Sequence, residues 1–432
     1  MIKNVRSVIF WSIDFIKGKK IRNHYKDIKY IIENPEDEIS LSKQKEYLEV
    51  LLAHAKTTTT YYKQLSSLKI TDFPVVNKEI IKSEYKKFQS RVYKNKKSVS
   101  VATSGSTGAS FVVHQDYNKK NRNTADIIYF SELTGFELGY RLYYLRFWSM
   151  FKKKNKQQSF IQNIIPIDVF DLSSVSIKNL IDRLTRDKSN KGMLGYASIF
   201  DKICKYLETN GIQKVDCKMH SIIGMSERLD PETKLAIKKY FGVDMVSRYS
   251  NAENGMIAQQ PRGKEYFIIN NASYYVEILN LENDKKAAQG TLGRIVVTDL
   301  FNYNTPIIRY DTGDLGIMDY VTIQGNNVLV LNRVEGRKMD MIRNTSGEIL
   351  STSILLVINK YTEIKQRQII QKTKNEYLFK LKVNGTFMRE GEFIEEFRTY
   401  LGENASILIE YVDEIPLLSS GKQRAIVNEV EN

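Results

Sequence analysis

The pattern of apolar and polar positions changes several times along the chain. Near the N-terminus, Ile2, Val5, Ile9, Ile13 and Ile16 recur at helical spacing with Phe10 and Trp11 beside them. That spacing predicts a helix packed on the body of the protein. "KQKEYLEVLLAHAK" (43–56), "NRNTADIIYFSELTGF" (121–136) and "IFDKICKYLETNG" (199–211) also read as helices, the last ending on Gly211. "DPETKLAIKKYFG" (230–242) carries complete helix punctuation, with Asp230 at the N-cap, Pro231 next and Gly242 after the end. Between these lie strand-like runs, "YRLYYLRFWSM" (140–150) and "KMHSIIGM" (218–225).

The alternation of strand and helix predicts α/β layers. From about 265 to 332 the pattern becomes strand after strand: "YYVEILN", "GRIVVTDL" and "NVLVLNR". The tail reads as a small α+β unit, with "EYLFKLKV" a strand, "GEFIEEFRTYL" a helix and "SILIEYV" a strand. A boundary near 335 follows, giving a large domain over 1–335 and a small one over 336–432.

One break in the pattern is unusual. "VATSGSTGAS" (101–110) interrupts the apolar positions, which resume at "FVVHQ". Small, polar, flexible material of this kind is either a solvated turn or a loop that wraps phosphate oxygens with backbone N–H groups and hydroxyls.

Composition narrows the classes. The chain has 432 residues, 42% of them hydrophobic, enough for two or three domains with a sizeable core. No run approaches the roughly 20 apolar residues of a membrane span. Cys204 and Cys217 fit reduced thiols in a cytoplasmic protein, and His24, His54, His114 and His220 show no metal-ligand spacing. The net charge of +15 is spread over scattered lysines without a nucleic-acid module, so no nucleic-acid partner is expected. A basic field still favours anionic substrates. The basic, apolar N-terminal segment leaves a peripheral contact with anionic lipid as a second use, with the protein then membrane-associated.

Four further islands stand out: "SRYSNAENG" (247–255), "IIRYDTGDLG" (307–316), "VEGRKMDMI" (334–342) and "PLLSSGKQR" (416–424). Singly, each has an ordinary reading as a turn, an ion pair or a solvated tail. Together and in this order they match the needs of ATP chemistry at a carboxylate: a phosphate-cradling loop, a magnesium carboxylate, an acid for ribose hydroxyls and mobile cations.

The sequence resembles the adenylate-forming superfamily of acyl-CoA synthetases, peptide-synthetase adenylation domains and luciferases. "TSGSTG" resembles its phosphate loop, "RYSNAENG" its Tyr-Gly-x-Thr-Glu segment and "RYDTGDLG" its ribose-binding segment. "GRKMDMI" is similar to the Gly-Arg-x-Asp-Asp hinge, and "SSGKQR" to the loop bearing the catalytic lysine. Within the superfamily the likeness is to phenylacetate–CoA ligase-like proteins. More narrowly, it is to the CapK-like proteins of capsular polysaccharide biosynthesis, through "LLAHAKTTTTYYKQL", "DFPVVNKEIIKSEYKKFQS", "GYASIFDKICKYLETNGI" and "TDLFNYNTPIIRYDTGD".

The resemblance implies an α/β fold: a large N-terminal adenylate-forming domain of layered sheets with a β-rich subdomain, and a small mobile α+β C-terminal domain. It implies ATP and Mg2+ as cofactors. Thr103, Ser104, Ser106 and Thr107, with the amides around Gly105 and Gly108, would hold the β- and γ-phosphates. Glu253 would ligate magnesium. Tyr249, beside Ser250, would stack on adenine, helped by the loop of Gly224, Ser226 and Glu227. Asp314 would accept from the ribose, Arg337 would contact the nucleotide, and Lys422 would bridge the substrate carboxylate and the α-phosphate. The pivot would lie at Lys338, Met339 and Asp340.

Departures from the pattern are Ala109 where relatives carry lysine, Ser250 for glycine, Ala252 for threonine and Met339 at the hinge. Ala109 leaves the loop to rely on amides and hydroxyls, and Ala252 removes one hydroxyl near the α-phosphate, while Glu253, Asp314, Arg337 and Lys422 are retained. The implied activity is an AMP-forming ligase that joins a carboxylic acid to an amine or hydroxyl acceptor on a polysaccharide precursor. A CoA ligase with a thiol acceptor is the alternative of the same class. A basic scaffold binding nucleic acid or a membrane surface without turnover is the alternative of another class.

Overall fold

The computed structural model describes residues 4–103, 111–146, 148, 156–169, 172–227, 229–337, 342–348, 350, 354–358, 360–416 and 425–430. Helices run over Val5–Ile16 (α1), Lys20–Glu33 (α2), Glu38–Thr58 (α3), Lys78–Ser83 (α4), Tyr85–Phe88 (α5), Tyr117–Glu132 (α6), Lys156–Ile161 (α7), Ser174–Arg186 (α8), Ala197–Thr209 (α9), Pro231–Phe241 (α10), Ile354–Ile358 (α11) and Glu390–Leu401 (α12). Strands run over Val99–Thr103 (β1), Phe111–Gln115 (β2), Arg141–Arg146 (β3), Ile164–Asp168 (β4), Lys191–Tyr196 (β5), Met219–Met225 (β6), Met245–Asn251 (β7), Gly255–Gln259 (β8), Phe267–Ile269 (β9), Tyr274–Leu279 (β10), Leu292–Asp299 (β11), Tyr310–Ile323 (β12) and Asn326–Arg337 (β13). Four more follow: Ile364–Gln371 (β14), Glu376–Val383 (β15), Ser406–Tyr411 (β16) and Ile426–Asn428 (β17).

The chain divides into two compact units. The first holds an 11-stranded sheet in the order β10-β11-β12-β13-β9-β8-β7-β6-β5-β3-β4. Its β4, β3, β5, β6 and β7 are parallel neighbours, and β8 turns antiparallel against β7. Leu180 and Leu184 of α8, Phe200 and Ile203 of α9 and Ile237 of α10 bury against Leu145, Met193 and Ile222 of the parallel strands. The 3.6-residue period of these helices presents one apolar stripe to the sheet, as their amphipathic sequences require. Helix α10 keeps its punctuation: Asp230 is extended, Pro231 is the first helical residue, and Gly242 closes the helix at φ 71. A side chain at Gly242 would be strained in that left-handed conformation.

The N-terminal helix departs from the expectation. Val5, Ile9, Ile13 and Ile16 face solvent, while Phe10 and Trp11 turn inward. Trp11 meets Tyr25 of α2 edge-on and lies under the Arg22 guanidinium. Asp14, the charge that interrupts the apolar run, is buried. Its two carboxylate oxygens accept from the Ile21 and Arg22 amides (2.9 Å each) and so cap α2. No helix among the described residues is long and apolar enough to cross a membrane.

The second unit takes in 335–432 and the short 313–315 stretch of β12. It carries a four-stranded sheet in the order β16-β15-β14-β17, and α12 packs Phe393, Phe397 and Leu401 into its core against Ile369, Tyr377, Phe379 and Leu381. Phe393 and Phe397 of α12 pack 4.5 Å apart, and Phe379 of β15 meets Phe397 edge-on at 4.8 Å. Such aromatic pairs contribute about 0.5–1.5 kcal/mol each beyond their buried area.

Candidate active site

Two paired strands flank the first island. Strands β1 and β2 pair antiparallel, with Thr103 opposite Phe111. Ser104, Gly105, Ser106, Thr107 and Gly108 lie between them, outside the described residues. The strand pair ends at Gln115, whose buried side chain reaches into the second island. Its Nε2 donates to the Glu253 carbonyl (2.9 Å), and its Oε1 accepts from Asn123 of α6 (3.2 Å).

The second island is the tight turn between β7 and β8. Asn251 Oδ1 accepts the Asn254 amide (2.8 Å), which closes the turn. Gly255 follows at φ 111, where an added Cβ would sit 2.9 Å from both the Tyr274 hydroxyl and Asn123 Oδ1. Glu253 is therefore presented by a turn with no room to relax. Tyr310, the first residue of β12 and part of the third island, donates its hydroxyl to Glu253 Oε1 (2.7 Å). The second carboxylate oxygen has no partner among the described residues.

Behind the turn lies a buried polar network. Tyr274 donates to the Asn254 carbonyl (2.6 Å) and accepts from Lys119 Nζ (2.9 Å). Lys119 also sits 2.8 Å from Asp299 Oδ2, both side chains wholly buried. The two form a buried ion pair. Burial pushes the Asp299 carboxyl up against the pull of the lysine. The Asn254 side chain, fully buried, has no partner for either amide atom among the described residues. Arg248, just before Tyr249, donates to Gln259 Oε1 (2.7 Å) and Ser131 Oγ (3.2 Å), and burial pushes its guanidinium down to about 10.

The remaining predicted residues fall as follows. Tyr249 belongs to the buried cluster around Ile257 and Ile295, and its hydroxyl donates to Thr312 Oγ1 (3.2 Å). Ser250 follows it at a bulge in the β7–β8 ladder. Gly224 lies near the end of β6, and Ser226 beyond it has φ 66. Glu227 already has work: its Oε2 accepts the Ser198 amide at the start of α9 (2.8 Å). Asp314 is half-buried within β12, and Arg337 is the last residue of β13. Asp311 is engaged by Arg294 (2.6 Å). "YDTGDLG", whose Asp and Gly residues suggest a turn, is strand. Lys338, Met339, Asp340 and Lys422 lie outside the described residues.

The structure thus brings together the second island, the start of the third and Gln115, at the end of the β1–β2 pair away from the first island. Sequence reasoning missed the props of Glu253, namely Gln115, Tyr274, Lys119 and Tyr310. Only Tyr310 carried a signal, lying inside a motif already singled out. A cavity of about 570 Å³, edged by Arg6, Arg141, Trp148, Phe160, Ile164 and Arg183, shares no residue with this constellation.

The donor set suits one kind of ion. No cluster of three or more His, Cys, Asp or Glu side chains able to hold a metal occurs among the described residues. A single carboxylate with one oxygen free of described partners matches Mg2+, which takes one or two protein carboxylates and completes its shell with phosphates and water.

The family model described as the CapK C-terminal domain matches residues 341–429. Protein CapK of Staphylococcus aureus is 23% identical over 96% of this chain and 95% of its own. A 2-hydroxyisobutyryl-CoA ligase, solved in the postadenylation state with R3-HIB-AMP, superposes with a TM-score of 0.69 at 15% identity over 89% of each chain. The chain resembles CapK and has the fold of the adenylate-forming ligases. ATP-bound MatB from Rhodopseudomonas palustris shares that fold with a TM-score of 0.54 at 16% identity, over 75% of this chain and 66% of its own. The CapK-like C-terminal match lies within the second unit.

Proposed function

We propose that this CapK-like chain is an ATP-dependent, AMP-forming ligase. A carboxylate oxygen of the substrate acid attacks the α-phosphorus, the bond to the β,γ-diphosphate breaks, and acyl-AMP and pyrophosphate result. An amine or hydroxyl of a surface-polysaccharide precursor then attacks the acyl carbon and AMP leaves. The observation that supports this best is the convergence on Glu253. Gln115 ties it to the far end of the strand pair that flanks the Ser/Thr/Gly loop, and Tyr310 ties it to the stretch that runs on to Asp314.

In this reading Glu253 holds Mg2+ together with nucleotide phosphates. The ion neutralises phosphate charge when bound. Thr103 and the loop from Ser104 to Gly108 hold the phosphates by hydroxyl and amide donors. Tyr249 and Ser250, with Gly224, Ser226 and Glu227, border the adenine, and Asp314 and Arg337 hold the nucleotide's ribose and phosphate end. Lys422 brings a positive charge to the substrate carboxylate and α-phosphate. Residues 1–335 form the nucleotide and acyl domain, and 336–432 form a lid that pivots at Lys338, Met339 and Asp340. We place the reaction in the cytoplasm.

A second reading keeps the adenylate and changes the acceptor. The solved neighbour of highest similarity above is named a CoA ligase, which favours a thiol. A panel of carboxylic acids, scored by pyrophosphate release with and without amine, sugar and thiol acceptors, separates the two readings. Acid-dependent pyrophosphate release is expected. Release of orthophosphate instead would overturn adenylate chemistry. Asp314→Ala should weaken ATP binding ten- to a hundredfold, the loss of a charged hydrogen-bond acceptor of about 1.5–3 kcal/mol. Unchanged affinity would remove the ribose assignment.

A further inference from the structure

Helix α1 turns an apolar stripe outward. Val5, Val8, Ile9, Ile13 and Ile16 lie on one face and are between 45% and 82% exposed. Phe15 flanks them. The inward side of the helix is already satisfied by Phe10, Trp11 and the capping Asp14. Phe160 and Ile161, each 72% exposed, extend the patch. Arg6 fixes them beside α1, donating to the Phe160 carbonyl (2.7 Å) with its guanidinium over the ring. Water gains nothing from such a contiguous apolar face, and exposed patches of this kind mark docking surfaces.

The rim decides what docks. Lys17, Lys19 and Lys20 follow the stripe, all exposed, and the Lys19 ammonium sits over the Phe15 ring (4.7 Å). The sole acid of α1, Asp14, is buried in its capping role. A second copy of the chain, meeting the patch isologously, would bring the same three lysines to both sides of one rim. An anionic bilayer supplies the opposite charge and accepts the apolar side chains as well. At 12 residues the helix is about 18 Å long, too short to cross a hydrocarbon core.

We propose that α1, with Phe160 and Ile161, lies in the plane of an anionic phospholipid surface. The apolar stripe enters the acyl boundary and Lys17, Lys19 and Lys20 meet the headgroups. The docking surface shares no residue with those assigned to the ligase and does not depend on that assignment.

Flotation of the full-length protein tests the proposal. The protein should float with vesicles of mixed phosphatidylglycerol and phosphatidylcholine, and much less with phosphatidylcholine alone. The doubly substituted Ile9→Asp, Ile13→Asp chain should lose at least tenfold in binding. Each Lys→Glu change at 17, 19 or 20 should weaken it about fivefold or more. These side chains face outward, so the thermal midpoint of the free protein should not change. Equal binding to both vesicle types would overturn the proposal. So would full retention by the Ile9→Asp, Ile13→Asp chain. A dimer in light scattering that dissociates on those changes would give the patch to a second copy instead.

Discussion

The Tyr310 hydroxyl lies 2.7 Å from Glu253 Oε1, and this bond joins stretches 57 residues apart in the chain. It also makes the carboxylate asymmetric. One oxygen is held by the protein, and the other has no described partner. An orienting donor of this kind fixes the side chain before a ligand arrives.

Tyr310→Phe should keep the buried ring and lose the orientation. The expected result is a rise in the magnesium concentration needed for pyrophosphate release, with turnover lower by about ten- to a hundredfold, the equivalent of about 1.5–3 kcal/mol. Titrating magnesium against pyrophosphate release on both proteins checks this. An unchanged magnesium dependence would separate Glu253 from the ion.

Lys422→Ala should slow acyl-adenylate formation by two to three orders of magnitude, roughly the cost of one preorganised charged contact in a transition state. A synthetic acyl-adenylate supplied to the variant should still be consumed with acceptor. Equal damage to both half-reactions in a folded variant would rule out a lysine delivered for one step and withdrawn for the other.

The Lys119–Asp299 pair should behave as a buried ion pair behind the β7–β8 turn. Lys119→Met leaves an unpaired buried carboxylate and should cost about 3–5 kcal/mol in denaturant unfolding, whereas Lys119→Met with Asp299→Leu should recover most of that. Burial already raises the Asp299 carboxyl above its ordinary value, and losing the lysine raises it further. The acid is then neutral in the fold at low pH. The penalty of Lys119→Met should be smallest below the ordinary aspartate range and grow as pH rises through the raised value. A pH-independent penalty would contradict the charge argument.

Asp187 should act in the opposite sense. Burial opposes its charge, but the Ser189 hydroxyl and amide, the Tyr143 hydroxyl and Arg141 outweigh it and hold the carboxyl at about 2. Its contribution to stability is complete above the ordinary value and is lost as pH falls toward 2. Asp187→Asn should flatten the acid limb of the stability profile between those limits, measured by urea midpoints.

The order of layers was legible because strand and helix periods alternate plainly and α10 carries its own start and stop in Asp230, Pro231 and Gly242. The N-terminal helix was legible as a helix, but periodicity identifies a face without saying which way it points. Phe10, Trp11 and the cap made by Asp14 settle that, and all three are tertiary facts. Likewise Glu253 is marked by its motif, while Gln115, Lys119 and Tyr274 are ordinary residue types on separate elements. Nothing in a linear reading brings a lysine of α6 to a tyrosine of β10. Asp311 and Asp314 look alike in sequence, and nothing there says that Asp311 is held by Arg294.

The wiring of the β7–β8 turn has a consequence for how the molecule assembles. Gln115 and Glu253 are 138 residues apart, and Lys119 and Tyr274 are 155 apart. Loops that long close slowly, and the contacts they bring repay the chain only once both ends have arrived. The β1–β2 pair, α6, β10 and β12 must all be seated before the Glu253 carboxylate is aimed. Helical signal should therefore return early during refolding and catalysis late, so enzymatic competence would report completion of this domain more faithfully than its secondary structure does.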